Sequence, residues 1–314
     1  MSKKSFGLIV NYNAGKVVSG LYKRKEYEKI FGSDGLIRET KDLNDVVTAL
    51  KEFQEAGVDI LFSYGGDGTH QKVLSLVFTL GLSFPYIAPL KGGTMNMLVK
   101  DIGLGKGSLK VTSAIVSLYR ENKNLHTFEK PIIKITYQDN EPLYGFYLAN
   151  GAIYNVIKRY YENPSSVSNA VKITLEGLFD TIISKESNSR FFKRITCKVL
   201  ADGYHLPHEQ FIGTMLGTLN RVVFGMTPFI EKAKNKEEFH FIGYSFPIKK
   251  MIFYFPFLAW GNRVKSKEIY PLSCKKMVMT CNTGFVLDGE PYLISEPTDL
   301  HIEVGGYLNI PIIS

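Results

Sequence analysis

The residues best suited to chemistry lie in short glycine-rich segments. Gly65-Gly66-Asp67-Gly68-Thr69 follows the apolar run 59–64 and precedes apolar residues at Val73, Leu74, Val77, Phe78 and Leu80, a helical spacing. Glycines permit positive φ and let backbone N–H groups approach phosphate oxygens closely. The start of a helix adds unpaired N–H donors and the positive end of a dipole. Asp67 would repel a phosphate directly. Its useful role is to hold a magnesium ion or its water shell, which makes it the candidate metal residue. Thr69 can cap the helix or bond a phosphate. Taken alone, the same residues also suit a plain strand-to-helix bend with Asp67 as its cap.

A second turn, Pro89-Leu90-Lys91-Gly92-Gly93-Thr94-Met95-Asn96, again joins a strand to a helix start. In a parallel sheet, successive strand ends share one edge, and ligands bind there. Two Gly-Gly turns on that edge could close around one triphosphate. Gly92, Gly93 and Thr94 would line it, Asn96 offers an amide to ribose or phosphate, and Lys91 offers charge. A third turn, 11–16, ends another strand and contributes Asn11, Asn13 and Gly15. Three turns on one edge point to a nucleotide site. The chain has neither the Gly-x-x-x-x-Gly-Lys-Ser/Thr pattern nor the protein-kinase motif set.

The elements around these turns alternate. Strands are predicted at 6–10, 36–40, 59–64 and 85–89, with helices over about 19–30, 43–56 (capped by Asp42 and ended by Gly57) and 69–80. Such alternation implies a parallel sheet with helices on both faces. Near residue 130 the pattern changes to strands, at 132–137, 144–149, 195–200, 211–219, 239–242, 277–281 and 300–304. Helices are predicted within this half at about 165–184 and 249–262. The expected fold is thus an α/β nucleotide-binding domain over 1–130 and a β-rich acceptor domain over 131–297, with 298–314 able to return to the first.

Composition agrees with two globular domains. The chain has 314 residues, 45% hydrophobic and 22% charged. Its three cysteines, Cys197, Cys274 and Cys281, form no Cys-x-x-Cys pair, which argues against a disulfide framework or zinc site and for a reducing cytoplasm. The apolar run 6–10 is too short for a signal-peptide core. The longest strongly apolar stretch, 251–260, is about half a membrane span. A net charge of +8 favours anionic partners. Zinc-finger and RNA-recognition signatures are missing, so nucleic acid is not expected.

Four segments together resemble the diacylglycerol kinase catalytic-domain family, which includes bacterial lipid kinases and sphingosine kinases. They are Asn11-Tyr12-Asn13-Ala14-Gly15, Gly65 to Thr69, Gly93-Thr94-Met95-Asn96 and Asp288-Gly289-Glu290. The resemblance implies an α/β domain like those of NAD kinases and phosphofructokinases, followed by a β-sandwich-like domain. It also implies Mg-ATP as phosphoryl donor and a lipid hydroxyl of diacylglycerol type as acceptor. Asp288 would be the general base, with Glu290 beside it near base or metal. Two carboxylates flanking a glycine suit proton abstraction from a hydroxyl, although Asp288-Gly289 also reads as an ordinary β-turn.

The chain departs from the family in three places. Tyr12-Asn13 replaces the usual Asn-Pro continuation, Met97 replaces an aspartate, and the stretch 236–239 lacks the Asp-Gly pair linked to a structural magnesium ion. The shared Gly-Gly-Asp-Gly-Thr turn makes NAD kinase a rival, but its later Asn-Glu pair and Thr-Gly-Ser-rich segment are missing. Met97 and the missing Asp-Gly pair keep open a catalytically weak nucleotide- or lipid-binding protein.

A lipid acceptor requires contact with a membrane surface. The stretch 249–263, with basic flanks and an aromatic centre, is a candidate interfacial element, and 190–194 is a second. A core helix explains 249–263 equally well. The expected location is cytoplasmic and peripheral to the inner face of the membrane. A homodimer stays open.

Overall fold

A computed structural model describes residues 4–93, 96–122, 124–162, 176, 189–222, 227–229, 235–250, 253–254, 257 and 266–313. The chain divides into two compact units. One comprises Met1–Lys130 with Tyr307–Ser314, the other Pro131–Gly306.

The first unit is built on four parallel strands, β1 (Phe6–Asn11), β2 (Gly35–Thr40), β3 (Ile60–Gly65) and β4 (Tyr86–Lys91), in the order β2-β1-β3-β4. Every residue of β3 is buried, as are Phe6 to Val10 of β1. Continuous apolar strands of this kind belong to a sheet covered on both faces. The helices are α1 (Gly15–Val18), α2 (Arg24–Phe31), α3 (Leu43–Glu55), α4 (Asp67–Thr79), α5 (Met97–Asp101) and α6 (Ser108–Asn122). Asp42 caps α3, its side chain accepting from Asp45 N at 3.0 Å. The helix expected over 19–30 starts later, as α2, and the short α1 lies before that span, ended by Gly20 at φ 71° in a left-handed turn. The returning segment is tied to this unit by Asn309 Nδ2 to the Pro85 carbonyl (3.3 Å) and Ile312 N to the His126 carbonyl (2.8 Å).

The second unit is mainly antiparallel. One sheet has the order β10-β8-β14-β17-β5-β6, with β9 on β8. Its strands are β5 (Thr127–Thr136), β6 (Leu143–Gly145), β8 (Ile195–Ala201), β9 (Tyr204–His205), β10 (Gln210–Phe211), β14 (Lys276–Cys281) and β17 (Thr298–Pro311). The other has the order β13-β12-β11-β7-β15-β16, from β7 (Tyr147–Asn150), β11 (Gly213–Gly217), β12 (Phe239–Tyr244), β13 (Ile269–Cys274), β15 (Phe285–Leu287) and β16 (Glu290–Tyr292). Ile133, Val199, Met279 and Leu300 of the first share a core with Leu148, Leu216, Phe241 and Phe285 of the second. Two sheets sharing one core make a β-sandwich. Strand β8 alternates buried and more exposed positions throughout, as a one-sided strand should.

Two of the expected strands are each divided between sheets. The run 144–149 breaks at Phe146, and 211–219 breaks at Ile212. Helix α7 (Ala152–Glu162) and strands β9, β13 and β15 were not expected. The helix predicted at 165–184 lies outside the described residues except for Glu176, as does most of 249–262.

Candidate functional site

The first two glycine turns end β3 and β4, adjacent parallel strands, and their backbones touch. Gly92 N donates to the Gly65 carbonyl at 2.7 Å. A Cβ on Gly93 would lie 2.4 Å from Gly66 Cα, and one on Gly92 would lie 2.7 Å from Gly65 N. These positions therefore need glycine before any ligand is considered. The first intrahelical bond of α4 runs from His70 N to the Gly66 carbonyl, at 3.1 Å. The N–H groups of Asp67, Gly68 and Thr69 thus lack intrahelical partners and lie at the positive end of a 13-residue helix. A buried Ser63 Oγ–His70 Nδ1 bond of 2.8 Å pins that helix to β3. Burial lowers the His70 pKa to about 3, so the ring stays neutral and acts as a strut.

Asp67 faces the protein as well as the turn. Its Oδ1 accepts Leu98 N at 3.1 Å, at the start of α5. Burial raises its carboxyl pKa, against the opposing pull of the Met97, Leu98 and Asn96 amides and of Lys100. Asn96, expected to offer its amide to a ligand, is fully buried at φ 51°. Its Oδ1 accepts Gly93 N at 3.1 Å and its Nδ2 donates to the Gly93 carbonyl at 2.6 Å. It shapes the second turn from inside. Thr94 lies outside the described residues.

The third turn is tied to the first. Asn11 Nδ2 donates to Thr69 Oγ1 at 2.8 Å, and Asn11 Oδ1 accepts Asn13 N at 2.9 Å. Gly15 opens α1 with open space around its Cβ position. Lys16 follows it, its backbone N 3.3 Å from the Gly92 carbonyl and its Nζ 3.3 Å from the Lys91 carbonyl. Burial, then the neighbouring Lys91 charge, lowers the Lys16 pKa. Lys16 was not among the expected ligand residues. The signal for it was a cation one residue beyond the glycine of a phosphate turn.

These residues suit nucleotide phosphates: helix-start amides without intrahelical partners, a cradle with no room for a Cβ at Gly92 and Gly93, and two lysines with mutually repelling charge. Among the described residues no group of three His, Cys, Asp or Glu side chains is placed to hold a metal. A magnesium ion that arrives with phosphates needs only one or two carboxylates from the protein, and Asp67 is the carboxylate at this turn.

In the second unit, Asp288 and Gly289 form the two-residue loop between β15 and β16, with φ values of 49° and 94°. Positive φ at both positions is the requirement of a type I′ hairpin. The Asp288 side chain folds back into the sandwich, where the residue is 5% exposed. Its Oδ1 accepts Tyr147 N at 2.9 Å and Phe146 N at 3.1 Å, and its Oδ2 lies 3.0 Å from Phe146 N. The turn reading and the carboxylate reading thus hold for one residue. The pair of bonds satisfies the amide of Phe146 at the point where the chain passes from β6 to β7 and changes sheet. Glu290 bonds Tyr161 of α7, whose pKa rises through burial and then the Glu290 charge.

Two solved structures from Bacillus anthracis str. Sterne, described as diacylglycerol kinases (the first provisionally), share this fold. They superpose with TM-scores of 0.70 and 0.65 at 17% and 16% identity, each covering 100% of this chain and 98% of its own. No curated protein matches the chain in sequence. The sequence profile of the diacylglycerol kinase catalytic domain matches residues 5–127, the stretch that carries all three turns. The likeness in sequence thus covers the first unit, and over the rest of the chain the likeness is one of fold.

Proposed function

We propose that the protein is an ATP-dependent lipid kinase that transfers the γ-phosphoryl group to a lipid hydroxyl of the diacylglycerol type. The observation that carries this is the closed pair of glycine turns at β3 and β4, with the helix-start amides of α4 beside them, inside the stretch that the diacylglycerol kinase catalytic-domain profile matches. Amides 67–69 bind the donor phosphates, and Lys16 and Lys91 offset their charge. Magnesium, when bound with the nucleotide, neutralises phosphate charge. Asp67 lends it a carboxylate already aimed by Leu98 N. Asp288 is the proposed acceptor of the hydroxyl proton, with Glu290 next to it on β16.

Contact with a membrane surface belongs to the same proposal. No helix among the described residues is long and apolar enough to cross a bilayer. Phe253 and Phe257, one helical turn apart in sequence, are 72% and 55% exposed, and Lys249 and Lys250 precede them. Exposed aromatics beside lysines suit an interface. The second candidate, 190–194, is weaker because Phe191 is buried.

One observation favours a second reading, a nucleotide- or lipid-binding protein with little transfer. The Asp288 carboxylate is committed to the amides of Phe146 and Tyr147. Incubation with labelled ATP, magnesium and a lipid panel, with NAD in parallel, tests both. Label in lipid supports the kinase, label in NAD overturns it for an NAD kinase, and nucleotide binding without transfer supports the second reading.

A further inference from the structure

Asn11 and Asn13 are expected to touch the nucleotide, yet their side chains bond the protein. Asn11 Nδ2 reaches Thr69 Oγ1 at 2.8 Å, and its Oδ1 accepts Asn13 N at 2.9 Å. Asn13 Nδ2 continues to the Lys41 carbonyl at 3.3 Å. Tyr12 N donates to the Thr40 carbonyl at 2.9 Å, and Lys41 N donates to Asp45 Oδ2 at 2.8 Å. This chain of bonds clamps the ends of β1 and β2 to the first turn of α4. The side chain it leaves pointing outward is Tyr12, whose residue is 49% exposed. Lys41 Nζ sits 5.6 Å from the centre of its ring, a cation–π distance.

A single exposed aromatic needs no explanation. This one is held at both ends beside a phosphate cradle, with an ammonium at the ring. The sheet order places the cradle over β3 and β4 and Tyr12 at the end of β1, the next strand. Neighbouring strands are about 4.8 Å apart, a step well within a nucleotide's length. Among the described residues β4 is the last strand on its side, so the edge continues toward β1 and β2.

We propose that Tyr12, steadied by Lys41, is the stacking platform for the purine base of the phosphoryl donor. This rests on the reading of the glycine turns as the donor phosphate site. Stacking on an aromatic face tolerates any purine, so the platform adds affinity more than it selects adenine over guanine.

Calorimetry of the full chain, with magnesium-ATP and separately with magnesium tripolyphosphate, tests it. Tyr12→Ala weakens ATP binding by about tenfold or more and leaves tripolyphosphate unchanged. Tyr12→Phe keeps the ring and stays within about twofold of the parent for both ligands, because stacking uses the ring face. Unchanged ATP affinity in Tyr12→Ala overturns the platform, as does equal weakening of both ligands, which would make Tyr12 a support of the turn. Failure of the parent protein to bind either ligand overturns the donor-site reading itself. Circular dichroism of both variants confirms that they fold.

Discussion

The Asp67 carboxylate accepts the backbone N–H of Leu98 at 3.1 Å, so a residue of the first glycine turn caps the helix that follows the second. The two turns are therefore one object, joined by this bond and by Gly92 N to the Gly65 carbonyl. An aspartate in this position carries an electrostatic cost. Burial raises its pKa above the ordinary value of 3.8, so the folded state favours the proton. Stability from the neutral form is fully present below the unfolded pKa. It is lost as pH rises through the higher folded value.

Asp67→Asn tests that balance. The amide oxygen still accepts Leu98 N–H, and no charge is buried. The variant is expected to melt at or above the parent temperature at pH 7 and to lose transfer activity. Its advantage should shrink as pH falls toward 3.8 and Asp67 takes up its proton. Thermal unfolding across pH 3.5–7, with the range chosen on about the usual carboxylate span, checks it. A variant that melts lower at pH 7 would show that the charge holds α5.

Gly93→Ala should separate the turns. Its Cβ would lie 2.4 Å from Gly66 Cα, a backbone atom with no rotamer to yield. Overpacking of this kind costs about 1–3 kcal/mol, and nucleotide binding should fall with it. Gly15→Ala is the contrast, since nothing lies within 4 Å of the added carbon. Its melting temperature should stay within a degree or two of the parent, on the order of a few tenths of a kcal/mol. Equal melting of the two variants would mean that the turns are not in backbone contact.

The location of the turns was legible because glycine, an apolar strand and helical periodicity coincide at 60–80 and again at 86–96. What the side chains do there was not. Asn96 and Asp67 read as ligand groups because amides and carboxylates are ligand chemistry, but Asn96 turns to Gly93 only in the folded geometry of its own turn, and Leu98 comes within reach of Asp67 only once β3 and β4 are adjacent. The same holds in the sandwich. A run such as 144–149 looks like one strand because it is apolar without a break through Phe146, while the carboxylate that bonds the amide at the switch between sheets belongs to Asp288, 142 residues away. Strand β13 was missed because Pro271 interrupts it, and its place at the sheet edge is what tolerates a residue without an N–H.

Membrane contact predicts a salt-dependent preference for anionic lipid. Phe253 and Phe257 expose rings beside Lys249 and Lys250, on a chain of net charge +8. Flotation with vesicles should recover more protein on anionic than on neutral lipid, with the difference falling as salt rises from 0.05 to about 0.5 M, where the screening length drops several-fold. Phe253→Ser with Phe257→Ser should reduce recovery on both. Equal recovery of the parent on the two lipids would remove the interfacial reading.

Asp288 separates a chemical role from a structural one. Replacement by alanine strips acceptors from the amides of Phe146 and Tyr147, both buried. Unsatisfied buried donors cost about 1–3 kcal/mol each, so Asp288→Ala should melt well below the parent. Asp288→Asn keeps one oxygen toward those amides and removes the basic carboxylate. It should recover much of the lost stability and none of the transfer activity if Asp288 takes the proton. If Asp288→Asn instead transfers phosphate at near the parent rate, the residue is a hairpin clasp. The acceptor hydroxyl would then need no base at this position, as a loose phosphoryl-transfer transition state allows.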